Sequence, residues 1–80
     1  MGVKDAVVLR FQQLCAERNM TLNELASRSG LTASTVYSMV NPNRREISIT
    51  TIKKLCDGLD LSLSAFFAAP VFEQLEQEIK

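Results

Sequence analysis

Histidine and tryptophan are absent from the 80 residues, tyrosine occurs once, and aromatic side chains make up only 6% of the chain. Without an imidazole there is no Ser-His or Cys-His pair for nucleophilic catalysis and no histidine ligand for zinc. Cys15 and Cys56 stand 41 positions apart, so they form no CxxC pair, and two cysteines are too few for a disulfide scaffold. No Gly-rich phosphate loop is present either. The chain is therefore expected not to be an enzyme, and no cofactor, metal or small-molecule ligand is expected. No apolar run approaches the roughly 18 residues needed to span a bilayer. The opening Met1-Gly2-Val3-Lys4-Asp5 leads into no secretory apolar stretch, so a cytoplasmic location without a membrane partner is the expectation.

Net charge is missing too, because nine Lys and Arg balance nine Asp and Glu. That removes the simple argument from a strongly basic chain to a polyanionic partner. The balance nevertheless hides a polarity. Residues 1–54 carry eight basic and four acidic side chains, whereas residues 55–80 carry one and five. The first two thirds can thus present a positive face while an acidic tail turns elsewhere. With 46% apolar residues in so short a chain, one small domain with a single modest core is expected.

What is present is helical periodicity. Val7, Phe11, Leu14 and Arg18 recur at helical spacing and predict a first helix over about residues 4–18, interrupted at Asn19. Thr21-Leu22-Asn23-Glu24 reads as a capping box, in which hydroxyl and carboxylate each accept from an otherwise unpaired backbone N–H. The second helix it starts is short, because Gly30 supplies the positive φ that ends a helix cheaply. Thr32 is placed to cap a third helix, Ala33–Val40, which stops at Asn41-Pro42 because proline disfavours helical geometry in its predecessor. The polar stretch Asn41–Glu46 reads as an exposed loop. Ile52, Leu55, Cys56 and Leu59 then mark a fourth helix, with Ser48 or Thr50 as its cap, Asp60 as a left-handed terminator and Gly58 as a weak point near its end. Ser62–Phe67 gives a short fifth helix whose two phenylalanines close the core. After Pro70, Val71 or Phe72 with Leu75 and Ile79 forms an apolar stripe on one more helix, acidic through Glu73, Glu76 and Glu78. No repeat and no strand pattern survives beside this reading.

Residues 22–41 also supply what two short helices at a fixed angle require. Leu25 and the small Ala26 face inward, Gly30 makes the turn, and Leu31, Val36 and Met39 pin the following helix. This stretch resembles the helix-turn-helix of the Cro and lambda-repressor-like family, the xenobiotic response element type. The likeness continues through Thr51-Ile52-Lys53-Lys54-Leu55-Cys56-Asp57 to Phe66-Phe67, covering about residues 7–67. The resemblance implies an all-α, five-helix lambda-repressor-like domain over residues 1–69. Residues 70–80 then form a short extra helix that packs back on helices one and five or pairs with its counterpart in a homodimer, the reading favoured here. It further implies double-stranded DNA as partner, with the third helix in the major groove of an operator and repression by steric occupation.

Helix geometry selects the side chains for that task. Val36 and Met39 face the core, leaving Ser34, Tyr37, Ser38 and Asn41 on the opposite side. Together with Ala33, which starts the helix in the family pattern, these are the candidate base readers. No Arg, Lys, Gln or Asn lies within Ala33–Val40, so reading falls to hydroxyls and methyl groups, with thymine-methyl contact by Ala33 or Thr35 and a contribution from DNA shape. Phosphate contacts are expected from Arg28, Arg44, Arg45, Lys53 and Arg10 and from backbone N–H groups near Thr21 and Thr50, and the resemblance implies that Thr32 and Thr35 approach phosphate as well. Three positions depart from the family pattern. Leu22 stands where a phosphate-binding Gln is frequent, Val40 where Glu is common, and Ile47 where Pro often precedes the fourth helix. Without the motif, the stripe would read as an ordinary solvated face, Arg44-Arg45 as a solvated loop pair, and both cysteines as small buried hydrophobes. The rival function on the same fold is a protein-interaction module, such as an antitoxin or adaptor, which the neutral charge and the base-poor third helix favour.

Overall fold

The computed structural model describes residues 1–79. Five α-helices follow in order: α1 Val3–Glu17, α2 Leu22–Arg28, α3 Ala33–Val40, α4 Ile49–Gly58 and α5 Leu63–Phe67, with a 3₁₀ helix over Pro70–Gln74. No strand occurs among the described residues. One core joins them. Val7, Phe11, Leu14 and Cys15 of α1 meet Leu25 of α2, Met39 of α3, Ile52, Leu55 and Cys56 of α4, Leu59, and Phe66 of α5.

Three of the four connections between these helices share one construction. Asn19, Gly30 and Asp60 each adopt a positive φ, at 55°, 75° and 56°. In each case the next residue reaches back to the helix it leaves. The N–H groups of Met20, Leu31 and Leu61 donate to the carbonyls of Cys15, Ala26 and Cys56 at 3.0, 2.8 and 2.9 Å. This is the Schellman arrangement, in which two otherwise unpaired carbonyls are satisfied and an apolar residue is folded against the core. Met20, Leu31 and Leu61 do pack there. The residue after each of them, Thr21, Thr32 and Ser62, then takes the extended conformation of an N-cap. A left-handed residue, an apolar residue and a hydroxyl thus suffice to turn the chain three times.

Caps divide along the same lines. Thr21 and Glu24 form the expected box, the hydroxyl accepting from Glu24 N–H at 3.0 Å and the carboxylate from Thr21 N–H at 3.3 Å. Between the two candidates for α4 the structure selects Ser48, which accepts from Thr51 N–H at 3.0 Å; Thr50 lies exposed in the first turn. Thr32 departs from expectation. Its side chain accepts from no backbone N–H, because its hydroxyl pairs with those of Ser34 and Thr35 at 3.0 and 3.3 Å.

Gly58 has a positive reason to be glycine. A Cβ there would stand 2.1 Å from Ser29 Oγ and 3.2 Å from Leu25 Cδ1, so the bare backbone lets the end of α4 approach α2. The C-terminal segment also differs from the sequence expectation. Of the helix anticipated over residues 70–80, of which residue 80 lies outside the described residues, only 3₁₀ geometry ending at Gln74 is realised, and Leu75 is extended. Two contacts account for this. Phe72 seats its ring 4.9 Å from Phe67 and 5.7 Å from Phe66, and Glu76 N–H donates to the Met1 carbonyl at 3.0 Å rather than continuing a helix. Of the two alternatives for the apolar stripe, packing back on the domain describes Phe72, while Ile79 stays 87% exposed.

Candidate nucleic-acid interface

The turn between α2 and α3 and the seating of Val36 and Met39 fix how α3 lies on the domain. Both side chains are buried, so the opposite side of the helix faces outward. Ala33, Ser34 and Tyr37 are exposed, Tyr37 at 72%, whereas Ser38 and Asn41 are half-buried. The five expected readers therefore do not form one uniform stripe. Ala33, Ser34 and Tyr37 line a shallow hollow with Val36, Val40 and Asn23. Asn41 is occupied instead with ending the helix: its carboxamide oxygen accepts from Asn43 N–H at 2.9 Å, and its carbonyl accepts from Lys4 Nζ at 2.7 Å.

Val40 and Asn23 are members of this surface that sequence reasoning left out. Val40 is 42% exposed, and its signal was present, since an apolar residue at i+3 from Tyr37 and i+7 from Ala33 extends the same flank of the helix. Two departures from the family pattern have structural causes. Leu22 and Ile47 both pack against the core, so the place of a phosphate-binding side chain at residue 22 is taken by an apolar contact.

The cations sort into two groups. Arg10 was expected near phosphate, but its guanidinium donates to the Phe66 carbonyl at 2.9 Å and the Ala65 carbonyl at 3.2 Å, and lies 6.0 Å from the Phe66 ring centre. Arg18 donates to the Leu59 carbonyl at 2.9 Å. With Lys4, these three side chains of α1 and its cap serve the C-terminal ends of α5, α4 and α3, where carbonyls lack intrahelical partners and the helix dipole favours positive charge. Arg28, Arg44, Arg45 and Lys54 are exposed and make no side-chain hydrogen bond or ion pair among the described residues. Lys53, one of the expected phosphate ligands, is exposed but pairs with Asp57 one turn along α4.

At the start of α3, Thr32, Ser34 and Thr35 gather three hydroxyls, and no side chain caps the first turn. Thr21, although its oxygen accepts from Glu24 N–H, keeps a hydroxyl hydrogen to donate. Arg28 and Lys54 share a cleft of about 340 Å³ with Ser29, Asp57 and Gly58. Arg44 and Arg45 border a cleft of about 310 Å³ whose other walls include Asp5, Glu76 and Glu78. Carboxylates thus stand beside this arginine pair. The Glu76 carboxyl is held below the usual carboxylate range, first by the hydrogen bond and charge of the Met1 ammonium 2.6 Å away, with Arg45 a lesser contributor.

Residues 10–68 match the Cro/C1-type HTH DNA-binding domain. The chain belongs to that family. Its fold is also similar to the crystal structure of the prophage Lp1 protein 11, with a TM-score of 0.83 and 32% identity, covering 94% of this chain and 100% of that one. Among curated proteins, no similar sequence was found. The matched span runs from within α1 to the end of α5 and takes in the whole α2–turn–α3 unit. Double-stranded DNA is accordingly the partner of this helix-turn-helix domain. No helix among the described residues is long and apolar enough to cross a membrane. Both cysteines are buried and unbonded; burial raises both thiols, Cys56 to about 11 with Asp57 adding to the shift, so neither is a ready thiolate.

Proposed function

We propose that the protein is a small transcriptional regulator that binds an operator sequence-specifically and represses by occupying it, with α3 in the major groove. The observation that carries this reading is the geometry of α3. Val36 and Met39 hold the helix on the core, while Ala33, Ser34 and Tyr37 stand in solvent. Base edges are read by Ala33, Ser34 and Tyr37, with Ser38 and Asn41 nearer the protein. Phosphates are held by Arg28, Arg44 and Arg45, by the hydroxyls of Thr21, Thr32 and Thr35, and by backbone N–H groups at the start of α4 near Thr50. Lys53 joins them once it leaves Asp57. Binding as a homodimer lets two copies of α3 meet successive major-groove faces about 34 Å apart. With Phe72 turned inward, the apolar side chains left for that contact include Val3, Ile49 and Ile79.

A salt titration of duplex binding tests the reading. Each phosphate contact adds about 0.9 to the slope of log affinity against log salt, so Arg44→Ala with Arg45→Ala lowers the slope by up to about 2. The double variant weakens binding roughly tenfold at about 0.1 M salt across duplex sequences. A flat salt response in the unaltered protein sinks the reading. It favours instead the interaction module, for which the carboxylates beside Arg44 and Arg45 already argue.

A further inference from the structure

α3 is unusual as a reader in having so little hydrogen-bonding capacity on the flank it exposes. Ala33, Tyr37 and Val40 lie at i, i+4 and i+7, and with Ser34, Val36 and Asn23 they wall a hollow of about 510 Å³ between α3 and the start of α2, where the Ser34 hydroxyl is already paired with that of Thr32 at 3.0 Å. Tyr37 and Val40 are among the few large apolar side chains the molecule leaves exposed. No Arg, Lys, Gln or Asn occurs from Ala33 to Val40. The paired hydrogen bonds that identify guanine or adenine are thus beyond this helix, and the half-buried Asn41 that follows it already has its carboxamide oxygen engaged.

An apolar surface in the major groove meets one apolar feature of the bases. That feature is the 5-methyl group of thymine, or the equivalent methyl of 5-methylcytosine. Among the described residues, the cations without internal partners belong to neighbouring elements, Arg28 at the end of α2, Arg44 and Arg45 just beyond α3, and Lys54 on α4. They supply attraction to the backbone on which such a contact depends, while the methyl groups supply the sequence information. We infer that the Ala33–Tyr37–Val40 flank is a pyrimidine-methyl reader, so that the operator is recognised chiefly by the positions of its thymine methyl groups. The inference rests on the DNA-binding regulator reading above and names the chemistry that the same surface recognises.

The experiment replaces thymine by deoxyuridine, which deletes the methyl group and leaves every hydrogen-bonding atom in place. Duplexes are selected from a random-sequence pool, and the enriched duplex is then resynthesised with deoxyuridine at each thymine in turn. Burying one methyl contributes about 0.8 kcal/mol, so each contacted position is expected to lose roughly fourfold in affinity when the methyl is removed. Installing 5-methylcytosine opposite guanine at a non-consensus cytosine in the same place restores part of the loss. Val40→Ala, a change at an exposed position that leaves the fold standing, makes one such position indifferent to the methyl group. Equal binding of the thymine and deoxyuridine duplexes overturns the inference while the regulator reading stands. Failure to bind any duplex at low salt overturns the reading itself. If Val40→Ala leaves methyl discrimination intact but changes the sedimentation coefficient, the flank is a contact between protein chains, and the inference also falls.

Discussion

Two sets of cations of the same chemical type lead opposite lives in this domain. Lys4, Arg10 and Arg18, all on α1 or at its end, donate into the chain and close the C-terminal ends of α3, α5 and α4. Arg28, Arg44, Arg45 and Lys54, which flank α3 or lie on α4, are exposed without such partners among the described residues. The excess positive charge of residues 1–54 is therefore not one surface. Part of it is a scaffold device that compensates helix dipoles, and only the remainder is left exposed, where the proposed function uses it. Charge counted from a sequence overstates the face that DNA can use, and the correction comes from where each side chain ends.

The comparison is broken most strongly at Arg10. Replacing it by methionine keeps a long apolar stem over Phe66 but removes the fork that donates to Phe66 and Ala65. Hydrogen bonds from charged donors are worth ~1.5–3 kcal/mol each, and partial exposure lowers that, so Arg10→Met is expected to destabilise the domain by about 2 kcal/mol. Urea denaturation reads this directly. The affinity of the folded protein for duplex DNA should be unchanged. The double substitution Arg44→Ala with Arg45→Ala should do the reverse, leaving stability within about 0.5 kcal/mol while weakening DNA binding. Should Arg10→Met weaken DNA binding at constant stability, the division into two sets is wrong.

A smaller effect is expected where α4 meets α2. Gly58→Ala improves helix propensity by about 1 kcal/mol, yet its Cβ overlaps Ser29 Oγ and crowds Leu25, and overpacking typically costs ~1–3 kcal/mol. The expected net loss is about 1 kcal/mol. Adding Ser29→Ala removes the worst overlap and should recover part of it, although that hydroxyl also bonds the Leu25 carbonyl at 2.7 Å. Thermal denaturation of the single and double variants decides the matter; a stabilised Gly58→Ala protein would mean that the two helices separate easily.

Much of the scaffold was legible because its signals are local. Asn19, Gly30 and Asp60 each end a helix by their own backbone preference, and Thr21 with Glu24 begins one within four residues. The anchoring of α3 by Val36 and Met39 follows from helical period alone. The work of Arg10 was not legible, because its partners lie 55 and 56 positions away and a carbonyl has no residue-type signature. Thr32 misleads for a different reason. Its hydroxyl has Ser34 and Thr35 as competing partners, and side-chain pairing wins over the cap. In the tail the helical spacing of Phe72, Leu75 and Ile79 was real, but the ring contacts of Phe72 and the Met1–Glu76 backbone bond set the geometry instead. Gly58 carried a signal that propensity alone inverts, since a residue that weakens its own helix permits the approach of another.

The mildest way to sharpen the comparison lies in the acidic tail. Glu76 and Glu78 border the same cleft as Arg44 and Arg45, so the partnerless cations are not wholly free of competing charge. Because the Glu76 carboxyl titrates below the usual range, it remains ionised through mild acid, and its pairing with Met1 is lost only as pH falls through that lowered value. Replacing both residues by glutamine removes two negative charges near the arginine pair proposed above to hold phosphates. At low salt the expected result is a two- to threefold gain in DNA affinity, a small effect as befits exposed charges. At about 0.1 M salt the Debye length shrinks to roughly 10 Å and most of the gain should vanish. Combined with Arg44→Ala and Arg45→Ala, the glutamines should have no further effect at either salt concentration. A gain that survives loss of the arginines would place the influence of the tail elsewhere on the DNA-facing surface, and would make Arg28 and Lys54 its next candidates.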